Sequence, residues 1–305
     1  MANQLDLRDL RYFEVIAETG HLGRAAAKLF RTQPALTGCV RRLEEALGTA
    51  LFERAGRGIR LTSAGKALVV RARSLRVATE EAVREIGDLG AGVAGHIRVG
   101  MLPTLARFLL PAVTQAYLKD AKEVTIKAVV AQNDVLGTQL RSGELDLIVS
   151  TAVRADEALV RYLVCEDDAV VIASRTHPVL RRKKVGMQDL LEFRWVLAPE
   201  VVGTREWLER EFQRRGLRAP KVQIETNLIL MMPALIEQTE LLTFTSRRHV
   251  APFVPGSRLR EVALRETTMR RRFDVVYRKD SYLSPAAQRF IALLRDRGET
   301  LFKGN

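Results

Sequence analysis

Hydrophobic positions recur at three- and four-residue intervals through Leu7, Leu10, Phe13, Ile16 and Ala17, and the run ends at Gly20. That spacing predicts a helix closed by a left-handed glycine. A short run, GRAAAKLF, follows, with Ala25 to Ala27 small enough to let another helix approach closely. Residues 31–48 predict a third helix, with Thr32 as N-cap, Pro34 in the first turn where its missing N–H costs nothing, and a stop at Gly48. Ala35, Leu36, Val40, Leu43 and Leu47 make its inward face, and Gln33, Thr37, Gly38, Arg41 and Arg42 lie mostly outward. Gly38 stands out, because glycine in a helix interior costs roughly 0.5–1 kcal/mol relative to alanine.

The period then changes. ALFERAGRGIRLT reads as two short strands, 50–53 and 58–61, around a Gly56-Arg57-Gly58 turn, a wing carrying Arg54, Arg57 and Arg60. From Thr62 a long helix runs to about Leu89, with Leu68, Ala72, Leu75, Thr79, Ala82, Ile86 and Leu89 spaced alternately by four and three. Such a seam over three heptads, on a helix roughly 40 Å long, is buried most simply against a partner helix. Leu68, Leu75, Ala82 and Ile86 are therefore the expected dimerisation residues, the alternative being a helix lying on its own domain. Gly90, Gly92 and Gly95 match G-x-G-x-x-G by letter, but they follow a helix and precede a strand, the reverse of a dinucleotide-binding turn. They read as a hinge. Beyond it, eight strand-like runs from HIRVG to FDVVYRK alternate with helical stretches, which predicts α/β layers with mainly parallel pairing and two small sheets.

Composition narrows the function. The net charge of +13 favours a polyanionic partner, and between Gly20 and Arg76 twelve Lys/Arg stand against three acids, so the excess is concentrated where the short helices lie. Two cysteines and four scattered histidines give neither a disulfide framework nor a metal site, and no cofactor is expected. No apolar run is long enough to span a membrane and no export signal is legible at the N-terminus, so a cytoplasmic location is expected.

Two short helices joined tightly, the second opening on polar residues, satisfy a helix-turn-helix over about 22–41. RAAAKL, TQPALT, RRLEEALG, LFER and LTSAG, at their intervals here, resemble the LysR-type transcriptional regulators. HIRVGMLPTLARFLLP, SGELDLIV and YLSPAAQRFIALLR resemble that family's effector domain, which is similar to periplasmic solute-binding proteins. The resemblance implies a winged helix-turn-helix domain (5–62), a linker helix (63–89), a hinge (90–95) and a two-lobed α/β effector domain (96–305). Lobe I would cover about 96–166 and 270–300, and lobe II about 167–269. It also implies homodimers, and homotetramers formed through the effector domains. Three departures stand out. Gly38 and Cys39 replace the family's usual basic and polar residues, His21 stands where a serine N-cap is common, and IEQTELLTFTSRR lacks a frequent glycine pair.

The expected activity is regulation of transcription at double-stranded promoter DNA, modulated by a small effector. Gln33 and Thr37 would read base edges, Thr32, Pro34, Arg41 and Arg42 would set register on the backbone, and the wing arginines would contact the backbone or the minor groove. Leu102, Thr104 and Thr204, at strand-to-helix turns, and the apolar Phe244 are the effector candidates, the threonines favouring a carboxylate unless they are plain N-caps. Met231 and Met232 are weaker apolar candidates. The rival is a two-lobed α/β enzyme acting on a small anion. No G-x-S-x-G, P-loop or paired-carboxylate pattern supports it, and Asp167 and Asp168, adjacent on a strand, would face opposite sides.

Overall fold

The computed structural model describes residues 5–56, 58–91, 95–151, 156–250 and 254–304. The chain divides into two compact units that meet in sequence at Gly92 and Val93.

The first unit opens with α1 (Leu7–Thr19), α2 (Leu22–Leu29) and α3 (Gln33–Leu47), followed by β1 (Phe52–Ala55), β2 (Gly58–Leu61) and α4 (Ser63–Ala91). Gly20 closes α1 at φ 60°, as its position requires. His21 caps α2 itself, its Nδ1 accepting from the Gly23 N–H at 3.0 Å, so the missing serine is replaced in kind. Thr32 occupies the cap position of α3, but its hydroxyl makes no capping bond. Thr62 does cap α4, its Oγ1 accepting from the Gly65 N–H at 3.0 Å and donating to the Ala50 carbonyl at 2.8 Å. The wing hairpin pairs Phe52 with Leu61 and Ala55 with Gly58, two residues later on its first strand than the sequence suggests. A Cβ at Gly58 would stand 2.7 Å from the Gly20 carbonyl oxygen, which accepts the next residue's N–H at 3.0 Å. Only glycine lets the wing lie this close to the end of α1.

Leu10, Phe13, Cys39, Leu43 and Leu51 form the core of this unit with Val69 and Ala72 of α4, and Phe13 meets Phe52 at 5.2 Å between ring centres. The first part of the heptad seam is thus spent within its own unit: Ala72 is buried and Leu68 half-buried there. The inward face of α3 is Leu36, Cys39, Val40 and Leu43. Ala35 and Leu47, expected inside, are exposed instead: Ala35 is turned about 100° from Leu36 and off the stripe, and Leu47, in line with it, is the last residue of the helix, one turn beyond Leu43.

The second unit contains β3 (His96–Met101), α5 (Pro103–Phe108), α6 (Leu110–Leu118), β4 (Thr125–Val130), α7 (Asn133–Arg141), β5 (Leu147–Ser150), β6 (Leu159–Ser174), β7 (Arg194–Leu197), α8 (Gly203–Gln213), β8 (Lys221–Glu225), α9 (Met232–Glu237), β9 (Leu241–Ser246), β10 (Leu259–Glu261), β11 (Met269–Arg278) and α10 (Pro285–Lys303). Between β3 and β4 the helical stretch LARFLLPAVTQAYLKD breaks into α5 and α6 at Leu109, where Pro111 cannot supply an N–H to the preceding turn.

The strands follow one path, β4-β3-β5-β11-β6-β9-β7-β8, with β10 on β6. Parallel pairing is confined to β4-β3-β5 at one end and β9-β7-β8 at the other. The middle is antiparallel, which corrects the expectation of mainly parallel, separate sheets: β6 and β11 pair over ten residues and carry the chain between two lobes. Val164, Cys165 and Phe273 belong to the core of lobe I, with Ile97, Val99 and Phe290, whereas Ala169 and Met269 on the same strands pack in lobe II with Trp195 and Phe212.

At the crossing point Glu166, Asp167 and Asp168 meet a run of arginines. Arg271 pairs with buried Asp167, Arg270 with Glu166, and Arg247 with Asp168 and Glu261. The neighbouring aspartates do face different partners, each neutralised by an arginine.

Candidate DNA-binding surface and effector cleft

The outward surface of α3 is polar and open. Arg31, Thr32, Gln33, Pro34, Ala35 and Thr37 are all exposed. Thr37 Oγ1 donates to the Gln33 carbonyl at 3.1 Å, which leaves its lone pairs outward. Gln33 leans over the start of α2, its Oε1 3.7 Å from where a methyl on Gly23 would stand. Arg41 is exposed and paired with Glu45 at 2.7 Å, an i,i+4 bridge that phosphate can displace at little cost.

Arg42 lies outward as expected, its side chain 57% exposed, but it has a second attachment. Its Nε and Nη2 grip both oxygens of Asp9 at 2.8 and 2.7 Å, and Asp9 is 4% exposed. A carboxylate that deep needs a partner, so Arg42 also ties α3 to α1. Cys39 is also inside, its thiol on the Asp9 carbonyl at 3.4 Å and pushed up to about 12 by burial. A Cβ on Gly38 would meet only Arg42 Nη1, at 3.5 Å, an ordinary contact. Packing within the chain therefore does not require that glycine.

In the wing, Arg54 and Arg60 are exposed, and Arg60 bridges to its cross-strand neighbour Glu53 at 2.9 Å. Arg57 lies outside the described residues, as does Gly92 of the hinge. Along α4, Leu75 is 46%, Val83 68% and Ile86 71% exposed, and Ala82 is exposed beside them. Beyond Ala72, that apolar stripe has no cover within its unit.

In the second unit the carboxyl ends of β3 and β5 converge on the start of α5. The Leu102 N–H donates to the Val149 carbonyl at 3.3 Å, which sets Leu102 beside Ser150. Leu102, not Thr104, holds the cap position of α5. Thr104 sits inside the first turn, 5% exposed, with no hydrogen bond to its hydroxyl among the described residues. Ser150, missed in the sequence because a lone serine carries no signal, is fully buried with an unpartnered hydroxyl. Thr204 is likewise one residue inside α8, where Val202 is the cap, and is half-buried. Its neighbour Arg205 staples that turn, reaching the Ala198 carbonyl, Glu200, Glu209 and Glu225.

Phe244, expected to line the effector site, is a buried side chain. It lies in the lobe II core, stacked on Trp207 at 5.6 Å with the rings 5° from parallel, because its alternation on β9 points it inward. Met232 is core too, whereas Met231 is 54% exposed on a turn, Ile229–Met231, that lies against α5. Lobe II also sends Arg248 and His249 against Phe108 of α5, at 5.5 and 5.0 Å from its ring centre. Burial pushes His249 down to about 4, and the nearby charges of Arg107 and Arg271 push the same way.

Among the described residues no cluster of His, Cys, Asp or Glu could hold a metal ion, and no helix is long and apolar enough to cross a membrane. The profile of the bacterial regulatory helix-turn-helix protein, lysR family, matches residues 7–66, and that of the LysR substrate binding domain matches residues 90–299. The regulator GbpR of Azospirillum brasilense is 29% identical over 97% of this chain and 88% of its own length. OxyR of Escherichia coli is 31% identical over 61% of each chain. Among solved structures, full-length CbnR in complex with its target DNA shares the fold at a TM-score of 0.66 and 21% identity, covering 96% of this chain and 99% of that one. Full-length OxyR from Pseudomonas aeruginosa does so at 0.64 and 21%, covering 97% and 95%. A helix-turn-helix matched over residues 7–66 and a substrate binding domain matched over residues 90–299 make this chain a member of the LysR family of transcriptional regulators.

Proposed function

We propose that this regulator reads its operator chiefly through Gln33 and Thr37, is held on DNA as a dimer, and responds to a small anionic effector bound between the lobes. It performs no catalysis and works in the cytoplasm. The observation that carries the reading is the exposed, hydrogen-bonding run Thr32, Gln33 and Thr37 on the first turns of a helix whose opposite face is wholly core. Glutamine can donate to and accept from one adenine edge, and Arg41 with the wing residues Arg54 and Arg60 supplies phosphate contacts. Arg57, by sequence, belongs to the same group. The exposed stripe of α4 pairs two copies, and a second contact between effector domains makes a dimer of dimers.

The effector reading rests on Ser150, whose buried hydroxyl has no partner among the described residues, and on Thr104, 5% exposed on the first turn of α5 beside it, where β3, β5 and α5 meet. Sensing through a thiol, suggested by the hydrogen peroxide-inducible relatives, has little support. Both cysteines are buried, and burial raises both thiols far above neutrality.

Gln33→Ala tests the base readout. It should cost about 1–3 kcal/mol on selected operator DNA and leave random DNA almost unaffected, while Arg41→Ala weakens both. Equal losses on the two DNAs for Gln33→Ala would make Gln33 a positioning residue.

A further inference from the structure

Phe30, the residue that ends α2 and opens the turn to α3, is 93% exposed. It is also the one non-glycine residue with positive φ among the described residues, at φ 55° and ψ 45°. The left-handed region suits glycine and asparagine, and a bulky side chain there is an outlier. Its N–H closes α2 by donating to the Ala27 carbonyl at 3.3 Å, and the next N–H donates to Ala26 at 2.9 Å, so the conformation is imposed by the turn. The ring adds nothing to either core cluster of its unit. Backbone and side chain are thus both unfavourable for the isolated protein, and such a site points to something bound.

We infer that Phe30 is an apolar DNA contact, its ring pressing on deoxyribose or a thymine methyl at the edge of the groove that α3 enters. Continuity favours DNA over any other occupant. Phe30 stands three residues before Gln33, and Arg31 to Ala35 behind it are all exposed. The turn that carries it is braced from both sides. Arg31 Nε donates to the Tyr12 hydroxyl at 3.1 Å and Lys28 pairs with Glu18 at 3.0 Å, so the ring is presented from a fixed base. A phenyl ring releases no counterions when it meets DNA, which distinguishes it from every cationic contact on this surface.

The test uses the full chain and a duplex selected from a random library by the wild-type protein. Phe30→Asn should raise the melting midpoint by about 2–4 °C, since it relieves the backbone, yet weaken binding roughly tenfold. The slope of log affinity against log salt should not change. Phe30→Tyr should restore most of the affinity. Wild-type affinity for Phe30→Asn at every salt concentration would overturn the inference, as would a loss accompanied by a slope change of about one, the mark of a lost ionic contact. A change in oligomeric state by sedimentation would assign the ring to a second copy of the chain instead, and would overturn it too.

Discussion

His249 shows how one residue's surroundings set its chemistry. Desolvation against Phe108, with Arg107 and Arg271 near, holds it neutral in the folded protein down to about pH 4. In the unfolded chain it protonates at its ordinary value near 6.5. Between those values the unfolded state binds the extra proton, so stability is fully present above pH 6.5 and is lost as pH falls. About 2 kcal/mol should disappear between pH 7 and 5 from this site. His177 adds a loss of the same sign, because burial lowers it as well. Urea unfolding at the two pH values should show a smaller difference for His249→Asn; an unchanged difference would mean that His249 is solvated. None of this was legible in the sequence, where four histidines are merely scattered. Gly38 and Cys39 were legible only as departures. What separates them is depth: Cys39 faces the core and Gly38 the surface, one residue apart on a helix whose inward stripe is fixed by packing rather than by residue type.

At the scale of elements, α4 joins two tasks that its heptad pattern does not distinguish. Ala72 and half-buried Leu68 hold the helix to its own unit, and Leu75, Ala82 and Ile86 then carry the seam into solvent. Dimerisation should rest on the second set. Leu75→Asp with Ile86→Asp should convert dimers to monomers in sedimentation of the full chain at micromolar concentration, without loss of helix content. Leu68→Asp should instead unfold the DNA-binding unit. A full-length double variant that stays dimeric would assign dimerisation to the effector domains alone. The helices of the first unit were readable because periodicity, caps and glycine stops agreed there. The crossing strands were not. The run Arg270-Arg271-Arg272 carries no strand signal and Asp167-Asp168 only adjoin one, since charge inside a strand is favourable only once the opposite strand supplies its counter-charge, and that pairing joins residues about a hundred positions apart.

For the molecule as a whole, those crossing strands decide what a ligand can do. Among the described residues lobe II meets lobe I through β6 and β11, through the Ile229–Met231 turn and His249, which both land on α5, and through Arg248, which reaches Phe108 of α5 and Phe302 of α10. Helix α5 also carries Thr104, with Ser150 beside its N-terminal turn. A ligand that satisfies those two hydroxyls therefore acts on the element that sets the lobe spacing. The free energy it contributes to closure is limited by its preference for the closed form. On the proposed reading that ligand is a carboxylate, which would accept from both hydroxyls. At a hundred times its dissociation constant such a ligand stabilises the bound form by about 2.7 kcal/mol, enough to register in a thermal-shift screen of small carboxylates. Thr104→Val and Ser150→Ala should each reduce that shift while leaving operator affinity without ligand at the wild-type value. Were a carboxylate to stabilise wild type and both variants equally, the two hydroxyls would be bystanders and the ligand would have to bind elsewhere between the lobes.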